Sequence, residues 1–206
     1  MKRFMTKLWE LCKEPVKRPR DSSHYHRLLE VWRDVRCRWP ENPSEAGQES
    51  LLWATAAAFF YKGQTDYPDG EDAVRLVQLL TCCRQLDPSK DEGWEAVLSD
   101  LDRLPGVGIP RASVLLHCLF PEHFAIVDQK AAGALCGWAE RGVGWPRAVS
   151  PPGFKPGEMT QDGRAYLDYR RTLLELVAIS GRAMTLRDVE LALYLAGPSG
   201  EAITGL

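Results

Sequence analysis

Apolar residues recur along this chain at three- and four-residue spacing, the period of an amphipathic helix, and no stretch alternates as a half-buried strand would. Phe4, Leu8, Leu11 and Cys12 begin the pattern, and a Pro/Lys/Arg stretch at 15–20 interrupts it. Tyr25, Leu28, Leu29, Trp32 and Val35 then mark one helical face. Residues 40–49 are rich in Pro, Asn, Gly and Glu and read as a linker. The run from Leu51 to Tyr61 is apolar nearly all round, which predicts a central, buried helix. A further helix is expected from Asp69 to Leu86, with Ala73, Leu76, Val77 and Leu80 inward.

Residues 94–128 carry the most specific pattern. Trp94, Val97, Leu98, Leu101 and Leu104 lie on one helical face, and Asp91 is the expected N-cap. Pro105-Gly106-Val107-Gly108 follows as a tight hairpin. A second helix runs from about Pro110 to Phe120, with Ala112, Leu115, Leu116 and Leu119 on one face. Pro110 suits its first turn, where a missing N–H costs nothing. Gly106 and Gly108 permit positive φ and a close backbone approach. The hairpin amides and the helix N-terminus should then point outward together, an arrangement that suits a phosphate. The apolar run Phe124-Ala125-Ile126-Val127 leads to Asp128, from which a short helix to Trp138 should start.

Downstream, residues 141–163 contain nine Gly or Pro and predict a long loop, either a lid over a cleft or a disordered surface insertion. Tyr166, Tyr169, Arg170, Leu173, Leu174 and Val177 mark a long helix. A last helix begins at Thr185, with Asp188 completing a capping box and Val189, Ala192, Leu193 and Ala196 inward. The fold class is therefore all-α.

Leu104-Pro105-Gly106-Val107-Gly108 followed by Ala112 resembles the helix-hairpin-helix motif. Joined to Ile126-Val127-Asp128, it resembles the helix-hairpin-helix DNA glycosylases of the endonuclease III and adenine glycosylase type. The resemblance is specific over 94–128 and diffuse elsewhere. It implies a two-lobed fold. One lobe is a helical barrel over 43–127, and the other combines 1–42 with 128–206. Asp128 would stand at the cleft and act as the catalytic carboxylate in base excision. Gly106, Val107, Gly108, Arg111 and Lys130 would contact DNA, and Tyr61, Lys62 and Gln64 would border the base pocket. As an alternative, those last three simply end a core helix. Members with lyase activity place a lysine two residues after the second hairpin glycine, where this chain has Pro110. The closely spaced cysteines that hold an iron–sulfur cluster in many members are also missing. The implied activity is thus monofunctional hydrolysis of the N-glycosidic bond of a flipped base. A carboxylate serves that reaction by stabilising an oxocarbenium-like charge and orienting or deprotonating water. The alternative is a non-catalytic DNA-binding or repair-accessory module in which Asp128 is a plain helix N-cap.

Charge modifies this picture. The 206 residues carry a formal net charge of −2, which argues against broad nonspecific DNA binding but permits a local basic site. Residues 1–38 hold 11 Lys/Arg against 5 Asp/Glu, and the remainder is correspondingly acidic. The basic segment could touch nucleic acid or pack on the body. Asp100 and Asp102 precede the hairpin and would oppose a phosphate unless Arg103 and Arg111 compensate. The six cysteines form no C-x-x-C pair and should be mostly buried free thiols. His24 and His26 point apart on a helix and read as solvated residues. No cofactor and no metal is called for. The expected partner is duplex DNA, with RNA an alternative. With no long apolar run and no signal peptide, a reduced, cytoplasmic monomer with no membrane association is expected.

Overall fold

The structure, a computed structural model, describes residues 70–142, 144–181 and 184–196, together with Pro68 and parts of the helical stretches at 25–36 and 54–58. Every regular element among these residues is helical: α1 Gly70–Cys83, α2 Trp94–Asp102, α3 Gly108–Leu119, α4 Gln129–Arg141, α5 Gly163–Ile179 and α6 Leu186–Ala196, with a 3-10 turn at Glu158–Thr160. The all-α class is therefore observed. No helix among the described residues is long and apolar enough to cross a membrane.

The described residues fall into two compact units, which meet in sequence between Phe120 and Pro121. The approach to Asp128 belongs to the second unit. The helical stretch at 25–36 falls in the first unit. Its contacts explain why. The Trp32 indole donates to the Ala54 carbonyl at 3.0 Å. Arg36 donates to the Cys118 carbonyl at 2.6 Å, closing one of the carbonyls left open at the end of α3. Tyr25 Oη meets His117 Nε2 at 2.8 Å.

The first unit is built around α3. The expected face of Ala112, Leu115, Leu116 and Leu119 is buried, but so are Ser113, Val114, His117 and Cys118. A helix covered on all sides must satisfy its polar groups internally. Ser113 does so through the Pro110 carbonyl at 2.8 Å, and His117 through Tyr25. Ala54, Thr55 and Ala58, from the stretch expected to be central, are helical and buried. α2 packs on α3 and α1. Trp94 anchors it, with its indole N–H on the Asp87 carbonyl at 3.1 Å and its ring edge-on to Phe120. Asp91 is not the N-cap of α2. Gly93 takes that position in a left-handed conformation without a side-chain acceptor, and the Asp91 carbonyl accepts from Trp94 N–H at 3.2 Å.

The second unit packs α4 and α5 on α6. Its caps follow chemistry. Asp162 accepts from Arg164 N–H at the start of α5. Thr185 and Asp188 exchange bonds before α6, completing the expected capping box. The glycine- and proline-rich segment between α4 and α5 is pinned to these helices. Trp145 lies edge-on to Trp138 at 4.7 Å, Phe154 edge-on to Tyr169 at 5.9 Å, and Met159 is buried. Gly153 N–H donates to Asp168 at 2.7 Å.

Candidate functional site

The hairpin joins α2 to α3 within the first unit. Gly106 and Gly108 both have positive φ, +75° and +59°, a backbone that side chains with a Cβ rarely adopt. A Cβ on Gly106 would also stand 3.0 Å from Arg111 Nη1, so the guanidinium folds back over the turn. Gly106 is exposed and Gly108 partly so. The N-cap of α3 is Val107, which offers no side-chain acceptor, so the first turn of α3 has no side-chain cap from its N-cap residue. Val107 sits between the two glycines. Its side chain is buried and its N–H is already given to the Leu104 carbonyl at 3.0 Å. It anchors the turn while the flanking glycines shape it.

Charge around the hairpin is partly balanced. Arg103 pairs with Asp100 at 3.2 Å, though both side chains are exposed, and such pairs contribute only ~0–1 kcal/mol. Asp102 is exposed, and Arg111 is half-buried against Gly106.

Asp128 belongs to the second unit and N-caps α4. Its Oδ1 accepts from Lys130 N–H at 2.8 Å and from Ala131 N–H at 3.2 Å. No bond to Oδ2 is made among the described residues, and the carboxylate is partly exposed. One oxygen is thus fixed by the first-turn amides of α4. Lys130 is exposed, with its ammonium over the Tyr194 ring at 5.2 Å to the centroid.

The approach to Asp128 is held by three side chains that the sequence reading did not assign to the site. Arg170 Nε donates to the His123 carbonyl at 2.7 Å. Tyr166 Oη donates to the Ala125 carbonyl at 2.8 Å. Glu190 Oε2 accepts from Ile126 N–H at 3.0 Å, and its Oε1 pairs with Arg187. Arg170 and Glu190 are almost fully buried. The Arg170 guanidinium also stacks over Phe124, 4.5 Å from its centroid. A signal existed in the sequence. Arg170 sits one turn from Tyr166 and Leu173 on the inward face of α5, and Glu190 one turn from Leu186 and Leu193 on that of α6. A charge at a core register needs a partner.

Tyr61, Lys62 and Gln64, expected at the pocket rim, lie outside the described residues. No family model, curated protein or solved structure matches the chain.

Proposed function

We propose that this protein is a monofunctional DNA glycosylase of the helix-hairpin-helix type, with a two-lobed fold of that family and Asp128 as its catalytic carboxylate. The observation that carries the reading is the state of Asp128. It is held by two backbone amides on one oxygen, with the other oxygen uncommitted among the described residues, at the end of an approach bolted by Arg170, Tyr166 and Glu190. The positive-φ hairpin and the first turn of α3, which its N-cap side chain does not cap, support a backbone grip on a DNA phosphate. In this mechanism a damaged or mismatched base is flipped from the duplex. The glycosidic bond breaks as positive charge grows on the sugar, and Asp128 stabilises that charge. Asp128 then orients or deprotonates the attacking water, which adds to the sugar carbon as the base departs. Pro110 stands where lyase members have a lysine, so no Schiff base forms.

The second reading, a non-catalytic DNA-binding module, is favoured by one fact: capping α4 already accounts for Asp128 as a structural residue. A panel of duplexes carrying oxidised, alkylated, deaminated or mismatched bases separates the two. The glycosylase reading expects alkali-labile abasic sites from at least one duplex. Duplex binding with no base released from any of them contradicts it and favours the module. Absence of duplex binding at moderate salt would contradict both and leave a helical interaction protein.

A further inference from the structure

The chain from Ile126 to Lys130 is tied to one face of α6. Glu190 and Tyr194 stand four residues apart on that helix and so are neighbours on its surface. Glu190 Oε2 accepts from Ile126 N–H at 3.0 Å, and the Lys130 ammonium lies over the Tyr194 ring, 5.2 Å from its centroid. Asp128 falls midway in the chain between these two tied residues. Lys130 N–H donates to Asp128 Oδ1 at 2.8 Å. One residue therefore meets Asp128 through its backbone and Tyr194 through its side chain.

The Lys130 ammonium has no carboxylate to neutralise it. Lys90, Arg103 and Arg171 each pair with an acid three residues earlier, at 3.4, 3.2 and 3.2 Å. Lys130 has Asp128 only two residues back, a spacing at which helical side chains do not face each other, and it forms no ion pair with any described residue. Lys130 is exposed and Tyr194 half-buried, so the ring is the fixed member of the pair. A ring engages one side of an ammonium, which has three N–H donors, and leaves donors for a ligand. A free lysine loses much rotamer freedom when it binds, and a head group already gathered against a ring loses less. Asp128 repels a polyanion, and a cation held beside it offsets that repulsion. The anion that accompanies every nucleic-acid sugar is its phosphate.

We infer that Tyr194 is a positioning residue that holds the Lys130 ammonium for a DNA phosphate beside Asp128. Tyr194 is not among the DNA contacts expected from the sequence, and it gives Lys130 a defined place where an exposed lysine would otherwise range through solvent. The inference rests on DNA binding, which both readings above share, and not on turnover by Asp128.

The test is duplex affinity against salt concentration, for the full chain and its variants. Each phosphate contact contributes about −0.9 to the slope of log affinity against log salt. Lys130→Gln should weaken binding several-fold at moderate salt and flatten the slope by about one such contact. Tyr194→Leu should weaken it too, while Tyr194→Phe, which keeps the ring, should bind as wild type. Adding Tyr194→Leu to Lys130→Gln should cost nothing further. In the wild type the Tyr194 ring current should also shift the Lys130 ε-methylene proton resonances upfield, a reading that needs no variant to fold. Unchanged affinity and slope in Lys130→Gln would overturn the phosphate contact and leave the DNA-binding reading standing. Losses that add in the double variant, or unshifted ε-methylene resonances, would overturn the positioning role. Failure of the wild type to bind duplex at moderate salt would overturn the DNA-binding reading and this inference with it.

Discussion

At the scale of single residues, burial separates groups that look alike in sequence. Of the four described cysteines, Cys83, Cys118 and Cys136 are buried and Cys82 is exposed. Burial raises the Cys83 thiol to about 12 and the Cys136 thiol to about 11, and pushes Cys118 up as well. Since the thiolate is the nucleophile, an alkylating reagent at mild alkaline pH should label Cys82 well before these three. Peptide mapping checks this, and equal labelling of Cys82 and Cys118 in the folded protein would contradict it. Glu190 offers a second residue-scale prediction. Glu190→Ala leaves the buried Ile126 amide without its acceptor and Arg187 without its partner. An orphaned buried group costs ~1–3 kcal/mol. Calorimetry should show a Tm several degrees lower, and an unchanged Tm would mean that the pairing contributes nothing.

Elements show what was legible beforehand and what was not. α2, the hairpin, α3 and the Asp128 cap were readable because helical periodicity, glycine at positive φ and an aspartate before a helix are local signals. The Thr185–Asp188 capping box was readable for the same reason. The full burial of α3 was not, because periodicity reports one face and cannot see which neighbours cover the other. Nor was the packing of the segment between α4 and α5. Its Gly and Pro content forbids a helix but says nothing of where Phe154 and Met159 are buried. The cap at Gly93 was missed because Asp91 has the right chemistry two residues too early. The hairpin makes its own prediction. Gly106→Ala must adopt φ +75° and displace Arg111, and a left-handed non-glycine residue costs ~1–2 kcal/mol. Duplex affinity of the folded variant should fall and its salt dependence flatten. Wild-type affinity and slope would remove the hairpin from the interface.

The whole molecule is an all-α chain of two compact units, with the hairpin in one and Asp128 in the other. Its formal charge of −2 leaves no general attraction to DNA, so the DNA affinity that the proposed function requires would come from a local contact. The acid–base chemistry proposed rests on Asp128, and the absence of a hairpin lysine makes a further statement at this scale. Borohydride added during turnover should trap no covalent protein–DNA adduct. A trapped adduct would establish a lyase, with Lys130 the first residue to replace.

The central claim is that Asp128 does chemistry beyond capping α4. Asn is about as good an N-cap as Asp, so Asp128→Asn separates the two roles in one substitution. On a lesion duplex processed by wild type, the account predicts unchanged melting and binding, with single-turnover base release slower by at least ~10²-fold, the scale of a lost acid–base group. Release at the wild-type rate by a folded Asp128→Asn protein would contradict it.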